Sequence, residues 1–99
     1  MPAYLIANIE VIDAAAFGQY REAVAPLIAR FGGRYLVRGG AVRDVEGAPG
    51  LKRLVILEFD SMPALRNFYD SPDYAPLIAL RQRAAISNVA LVEGYMPPA

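Results

Sequence analysis

Tyr74, Leu77, Ile78 and Arg81 recur at i, i+3, i+4 and i+7, the spacing of one face of a helix. An arginine on an apolar stripe can grip a ligand carboxylate or enolate with its two-pronged guanidinium. It can also sit in a structural ion pair, or lay its stem on the core with its head in water. Glu58 stands near the end of the apolar run Arg53–Phe59. Burial there would suit a carboxyl to general acid or base work, whereas a neighbouring arginine would hold it ionised. Arg38-Gly39-Gly40 offers a cation beside exposed backbone N–H groups, a cradle for phosphate or carboxylate, though glycines also serve a strand bulge. Tyr20, Tyr69 and Tyr74 fall on inward helical stripes, where a hydroxyl donates to a ligand oxyanion or the ring simply fills core. Asn8 is either a polar contact in a strand-lined pocket or an amide bonding backbone.

These residues carry unusual weight because the chain has no His and no Cys. Imidazole bases, thiolate nucleophiles, disulfides, and the usual zinc and haem ligands are therefore absent. Acid–base chemistry falls to Asp, Glu, Tyr, Arg or the single lysine, Lys52. Glu10, Glu58 and Asn8 could converge at one sheet end, but a hard cation usually needs more oxygen ligands than these three side chains supply, so no metal is expected. No G-x-G-x-x-G or P-loop is present, and no cofactor is expected. Ten Lys+Arg balance ten Asp+Glu, which leaves no cation surplus for duplex binding. The N-terminus lacks a basic segment followed by an apolar one, and no apolar run is long enough to span a membrane. A cytoplasmic protein is expected.

The 99 residues suit one domain, 1–99, and 56% of them are apolar, more than the usual share. The pattern predicts β-α-β-β-α-β. Ala3–Glu10 is the first strand. Asp13 caps a helix with Phe17, Tyr20, Val24, Leu27, Ile28 and Phe31 on one stripe, Pro26 kinks it, and Gly32-Gly33 ends it. Arg34–Arg38 is the second strand, which can continue through Ala41–Glu46 to a turn at Gly47–Gly50. Arg53–Phe59 is the third. Ser61 caps a helix carrying Met62, Leu65, Phe68 and Tyr69. Ser71, with Pro72 in first position, starts the next. Asp70 and Asp73 flank that cap, favourably placed near a helix N-terminus. Ser87–Tyr95 is the last strand. This order predicts the ferredoxin-like α+β fold, an antiparallel sheet with helices on one face. Strands one and three lie at its centre, with four and two beside them.

Alternation sorts each strand into two faces. Leu5, Ala7, Ile9, Tyr35, Val37, Val55, Leu57, Phe59, Ala90 and Val92 are assigned to the helix side. The other face holds Tyr4, Ile6, Asn8, Glu10, Arg34, Leu36, Arg38, Leu54, Ile56, Glu58, Val89, Leu91 and Glu93, with Arg34 across from Glu58. Its apolar middle would gain roughly 10–20 kcal/mol gross on burial, against ~4–15 kcal/mol for association. The simplest cover is a second copy about a two-fold axis, giving a homodimer through the non-helical face.

Gly32–Gly40, Glu58-Phe59, Tyr69–Tyr74, Arg81 and Val92-Glu93-Gly94 together resemble the thirteen-thirty family of the domain-of-unknown-function series, a mostly bacterial family in the dimeric α+β barrel superfamily. The resemblance spans Ala3 to Tyr95. It implies a homodimer of ferredoxin-like subunits and no particular activity. Superfamily relatives include cofactor-independent monooxygenases and haem-degrading enzymes that use His, Trp and Asn; only Asn is available here. Two functions are therefore expected in competition. One is a pocket between sheet and helices for a carbonyl- or carboxylate-bearing metabolite. There Arg38 and Arg81 would be anchors, Asn8, Tyr20, Tyr69 and Tyr74 contacts, and Glu58 the acid–base group of an isomerase-like reaction. The other is a non-catalytic dimeric binding or stress-response module.

Overall fold

The computed structural model describes residues 1–98. Its elements run β1 (Ala3–Val11), α1 (Ala14–Arg30), β2 (Arg34–Arg38), β3 (Arg53–Phe59), α2 (Met62–Tyr69), α3 (Ala75–Ala84) and β4 (Ala85–Glu93). The four strands form one sheet in the order β2-β3-β1-β4, and every neighbouring pair is antiparallel. The ferredoxin-like α+β architecture read from the sequence is the one observed.

The helix boundaries follow from local chemistry. The Asp13 carboxylate accepts the Ala16 N–H at 3.1 Å and so caps α1. At the other end Gly33 N–H donates to Ile28 O at 2.9 Å and Gly32 N–H to Ala29 O at 3.0 Å. This Schellman pair requires the left-handed φ of +85° that Gly32 supplies. Gly33 allows a close approach, because a Cβ there would lie 2.4 Å from the Phe59 ring. The helix runs unbroken through Pro26. Ser61 caps α2 through Ala64 N–H at 3.2 Å. Ser71 does not open α3 directly. Its hydroxyl accepts Tyr74 N–H at 3.2 Å and donates to Phe68 O at 2.9 Å, holding a turn over Pro72–Tyr74 before the helix starts at Ala75. Asp73 pairs with Arg30 and Asp70 with Arg66, so both flanking acids work as surface ion-pair partners.

The core lies between the sheet and the helices. Leu5, Ala7, Ile9, Leu57 and Phe59 meet Phe17, Val24, Ile28, Leu65 and Phe68 there. Residues directly opposed across a strand pair share a face, and the register corrects the expected assignments on two strands, β4 and β2. Leu5 faces Leu91 and Ala7 faces Val89, so Val89 and Leu91 point to the helices, while Ala90 and Val92 lie on the open face. In β2 the pairing shifts between Tyr35 and Val37, with Leu36 as the extra residue. Beyond this bulge Val37 opposes Ile56 on the open face, and Arg38 opposes Val55 on the helix face. The segment after Gly40 forms no strand before Arg53. Glu10 and Glu58 do not converge, since Glu58 pairs with Tyr4 at the opposite end of β1. No helix among the described residues is long and apolar enough to cross a membrane.

Candidate functional site

A narrow cleft opens between α1 and the helix face of the sheet and encloses about 40 Å³. Leu5, Ala7, Val55 and Leu57 form its sheet wall, and Phe17 and Val24 its helix wall. The polar groups on this apolar frame are four arginines (Arg21, Arg38, Arg53, Arg81) and three tyrosines (Tyr20, Tyr35, Tyr74).

The inner end is a hydrogen-bonded chain. Arg81 is only 4% exposed, because its helical stripe turns it under the sheet. Its Nη1 donates to the Tyr74 hydroxyl at 2.8 Å, and that oxygen lies 2.7 Å from the Tyr20 hydroxyl. Tyr74 is placed by the Ser71 turn and by stacking on Phe68 at 4.4 Å. Burial, reinforced by Tyr20, pushes the Tyr74 phenol far above its ordinary pKa, so it stays protonated. Arg81 Nε is buried without a hydrogen-bond partner. Among the described residues no carboxylate pairs with Arg81; the ion pairs present join Arg30, Arg34 and Arg66 to acids elsewhere.

The outer end is a cationic cluster. Arg53 leaves β3 on the helix face, with its guanidinium 5.6 Å from the Phe17 ring centroid. It packs on Gly39, where a Cβ would come within 2.6 Å of the guanidinium carbon and where φ is +70°. Arg38 lies 4.5 Å over the Tyr35 ring. Burial lowers the Arg53 pKa, and the charges of Arg21 and Arg38 lower it further. Burial likewise raises that of Tyr35, against the opposing pull of Arg38. Three like charges thus crowd one mouth with no carboxylate in the lining.

The structure brings Tyr20, Arg38, Tyr74 and Arg81 together in this cleft. It does not bring Glu58, Asn8 or Tyr69 into the lining. Glu58 projects from the opposite face of the sheet, where its Oε1 accepts Arg34 Nε at 2.7 Å and Nη2 at 2.6 Å. Its carboxylate also holds the Tyr4 phenol protonated through a hydrogen bond, raising that pKa. Asn8, on the same open face, accepts Lys52 N–H at 2.8 Å and donates to Gly50 O at 3.1 Å, tying down the end of the 39–52 loop. Tyr69 packs edge-on against Tyr74 at 5.5 Å, behind the site. Arg21 and Arg53 are additional to the sequence reading, though both carried a signal. Arg21 is four residues after Phe17 and three before Val24, and Arg53 shares the parity of Val55, Leu57 and Phe59.

Comparison with known proteins adds fold and family. No curated protein matches. A protein of unknown function from Rhodopseudomonas palustris superposes with a TM-score of 0.73 at 19% identity, over 97% of this chain and 84% of that one. A dimeric ferredoxin-like protein of unknown function from Jannaschia sp. CCS1 gives 0.67 at 18% identity, over 95% and 100%. SnoaB, a cofactor-independent oxygenase from Streptomyces nogalater, gives 0.62 at 15% identity, over 97% and 95%. At these identities the likeness is one of fold. The model of the domain of unknown function DUF1330 matches residues 2–95, nearly the whole chain, and the protein is a member of that family.

Proposed function

We propose that the cleft binds a small organic anion, an apolar-bodied carboxylate or carbonyl compound whose negative charge the arginines complement. The observation that carries this reading is the mouth: Arg21, Arg38 and Arg53 crowd one side of an apolar cleft whose lining holds no carboxylate. Crowded like charges repel one another, and an opposite charge beside them relieves that cost. The buried Arg81 guanidinium, bonded to the Tyr74 hydroxyl at the inner end, adds a charge of the same sign.

The geometry favours a binding module over an isomerase. Proton transfer beside a carbonyl needs a base, and the expected one, Glu58, is engaged by Arg34 on the other side of the sheet. Tyr74 is held as a neutral phenol and serves as a hydrogen-bonding group rather than a base. The cleft can polarise a carbonyl or cradle an oxyanion.

The reading includes a second copy of the chain over the open face. Ile6, Leu54, Ile56 and Val37 are half-buried there, and Leu36, Val92 and Ile86 are exposed at 51%, 41% and 57%. The similar Jannaschia protein is dimeric. The two clefts then lie on the outer sides of the pair, one per subunit.

Thermal unfolding with small carboxylates, enones and quinols tests the binding reading. A ligand at ten times its Kd adds about 1.4 kcal/mol, a rise of several degrees in Tm for a domain of this size. Carboxylates are expected to give that rise, and Arg53→Gln, folded by circular dichroism, to lose most of it. A folded Arg53→Gln protein that keeps the full rise shows that the mouth arginines are no anchor.

A further inference from the structure

The two ends of the cleft differ in chemistry, and the difference selects a kind of anion. Resting on the anion-binding reading above, we propose that the ligand is a flat aromatic carboxylate with a second oxygen at the far end of its ring. The carboxylate is held at the mouth by Arg53 with Arg21 and Arg38, and the distal oxygen takes its hydrogen bond from Tyr20.

The inner end is already partly satisfied. Arg81 Nη1 occupies a lone pair of the Tyr74 oxygen, and the Tyr74 and Tyr20 hydroxyls share one hydrogen bond at 2.7 Å that either oxygen can donate. A ligand oxygen beside Tyr20 selects the arrangement in which Tyr74 donates and Tyr20 has its own O–H left to give, in a chain that begins at a cation and is polarised along its length. What Tyr20 presents to the cleft is one strengthened donor. That matches one carbonyl, phenol or enolate oxygen better than a carboxylate, which calls for a two-pronged partner. The outer end is the reverse. Its guanidiniums repel one another, lack any carboxylate partner among the described residues and offer forked donors. The fully charged group of the ligand belongs there.

Aromatic rings join the two ends. The Arg53 guanidinium is 5.6 Å from the Phe17 centroid, Phe17 is 5.7 Å from Tyr20, and the Arg81 guanidinium is 5.9 Å from Tyr20. One ring of the ligand spans that interval between the Phe17 side and the sheet wall of Ala7 and Val55. The enclosed 40 Å³ holds only a few waters, so the ring enters only as the exposed Arg21 and Arg38 side chains swing outward, neither of which holds an ion pair among the described residues.

Three probes separate the ends: benzoate carries the carboxylate alone, phenol the hydroxyl alone, and 4-hydroxybenzoate both. Isothermal titration on the full chain is expected to show 4-hydroxybenzoate binding about ten-fold tighter than benzoate, the worth of one well-placed hydrogen bond. Tyr20→Phe should bring that ratio to about one while leaving benzoate within about two-fold of its original Kd. Arg53→Gln should weaken both carboxylates about ten-fold and preserve the ratio. A ratio near one in the unmodified protein, or a ratio that survives Tyr20→Phe, overturns the two-ended ligand but leaves anion binding standing, because benzoate still reports it. If no carboxylate probe binds at about 10 mM, far weaker than any ordinary ligand, the anion-binding reading falls and this inference with it.

Discussion

Arg81 and Tyr74 share one hydrogen bond, and both lend stability to the fold. Burial works against the guanidinium's charge, but the tyrosines around it, Tyr74 first, outweigh burial and raise its pKa. Arg81→Met removes that hydrogen bond, fills similar space and leaves Tyr74 its bond to Tyr20. The variant is expected to be less stable by ~1–3 kcal/mol, read as a lower urea midpoint at unchanged slope. A higher midpoint would show that the buried guanidinium costs the fold more than its tyrosine partners return. Tyr74 behaves differently with pH. Burial raises its pKa in the folded protein, so the native state holds the phenolic proton more tightly than the unfolded chain does. Its contribution is complete below about pH 10, the unfolded value, and drains away as pH rises beyond it, at about 1.4 kcal/mol per unit. Tyr35 is shifted the same way by burial and adds to the loss. Denaturation between about pH 9.5 and 11 should therefore show stability falling, and Tyr74→Phe should shallow that slope by one tyrosine's share. An unchanged slope would mean that Tyr74 ionises as easily in the fold as out of it.

The elements explain which parts of this arrangement are visible in the sequence. β1 and β3 alternate strongly, and the caps at Asp13, Ser61 and Gly32-Gly33 are local chemistry, so element order, topology and the Arg81 stripe could be read directly. β4 could not be oriented that way. Its two parities are Ala85, Ser87, Val89, Leu91 against Ile86, Asn88, Ala90, Val92, nearly equal in apolar content. Only pairing with β1 decides between them. The β2 bulge at Leu36 has no glycine or proline to announce it, yet it moves Arg38 from the open face into the cleft. One of the three arginines of the mouth is thus a consequence of register, which a single strand's pattern does not contain. Glu58 carried two readings in the sequence, an acid–base group or the cross-strand partner of Arg34, and the pairing with Arg34 is the one observed. Two glycines test the packing of α1. Gly33→Ala drives a Cβ into the fully buried Phe59 and should cost ~1–3 kcal/mol. Gly18→Ala, mid-helix with nothing within 4 Å, should gain ~0.5–1 kcal/mol. Equal effects of the two substitutions on Tm would contradict the close α1–β3 junction.

Seen whole, the chain is a slab of 46 × 39 × 16 Å. Its radius of gyration is 14.0 Å, against about 12.6 Å for a compact chain of this length. Its accessible surface is 6161 Å², against the roughly 5,500 Å² that mass scaling predicts. A sheet covered on one side only and the exposed 41–50 segment both add to this surface, and the uncovered side carries Ile6, Ile56, Leu54, Val37 and Ala90 across its middle. Because Ile6 and Ile56 are directly paired on the two central strands, they lie near the centre of any two-fold contact. Ile56→Glu therefore places a charge in the interface from each copy, and loss of the apolar contact and desolvation of the charge both count twice. The dimer Kd is expected to rise by at least ~10³, a difference of about 4 kcal/mol. Sedimentation velocity at micromolar concentration should find the unmodified chain dimeric and Ile56→Glu monomeric. The variant should keep its helical circular dichroism and its anion response, since the cleft lies on the opposite side of the sheet. A monomeric unmodified chain at that concentration would refute the paired-sheet arrangement. A monomeric variant that also loses anion binding would show instead that each cleft depends on the partner for its shape.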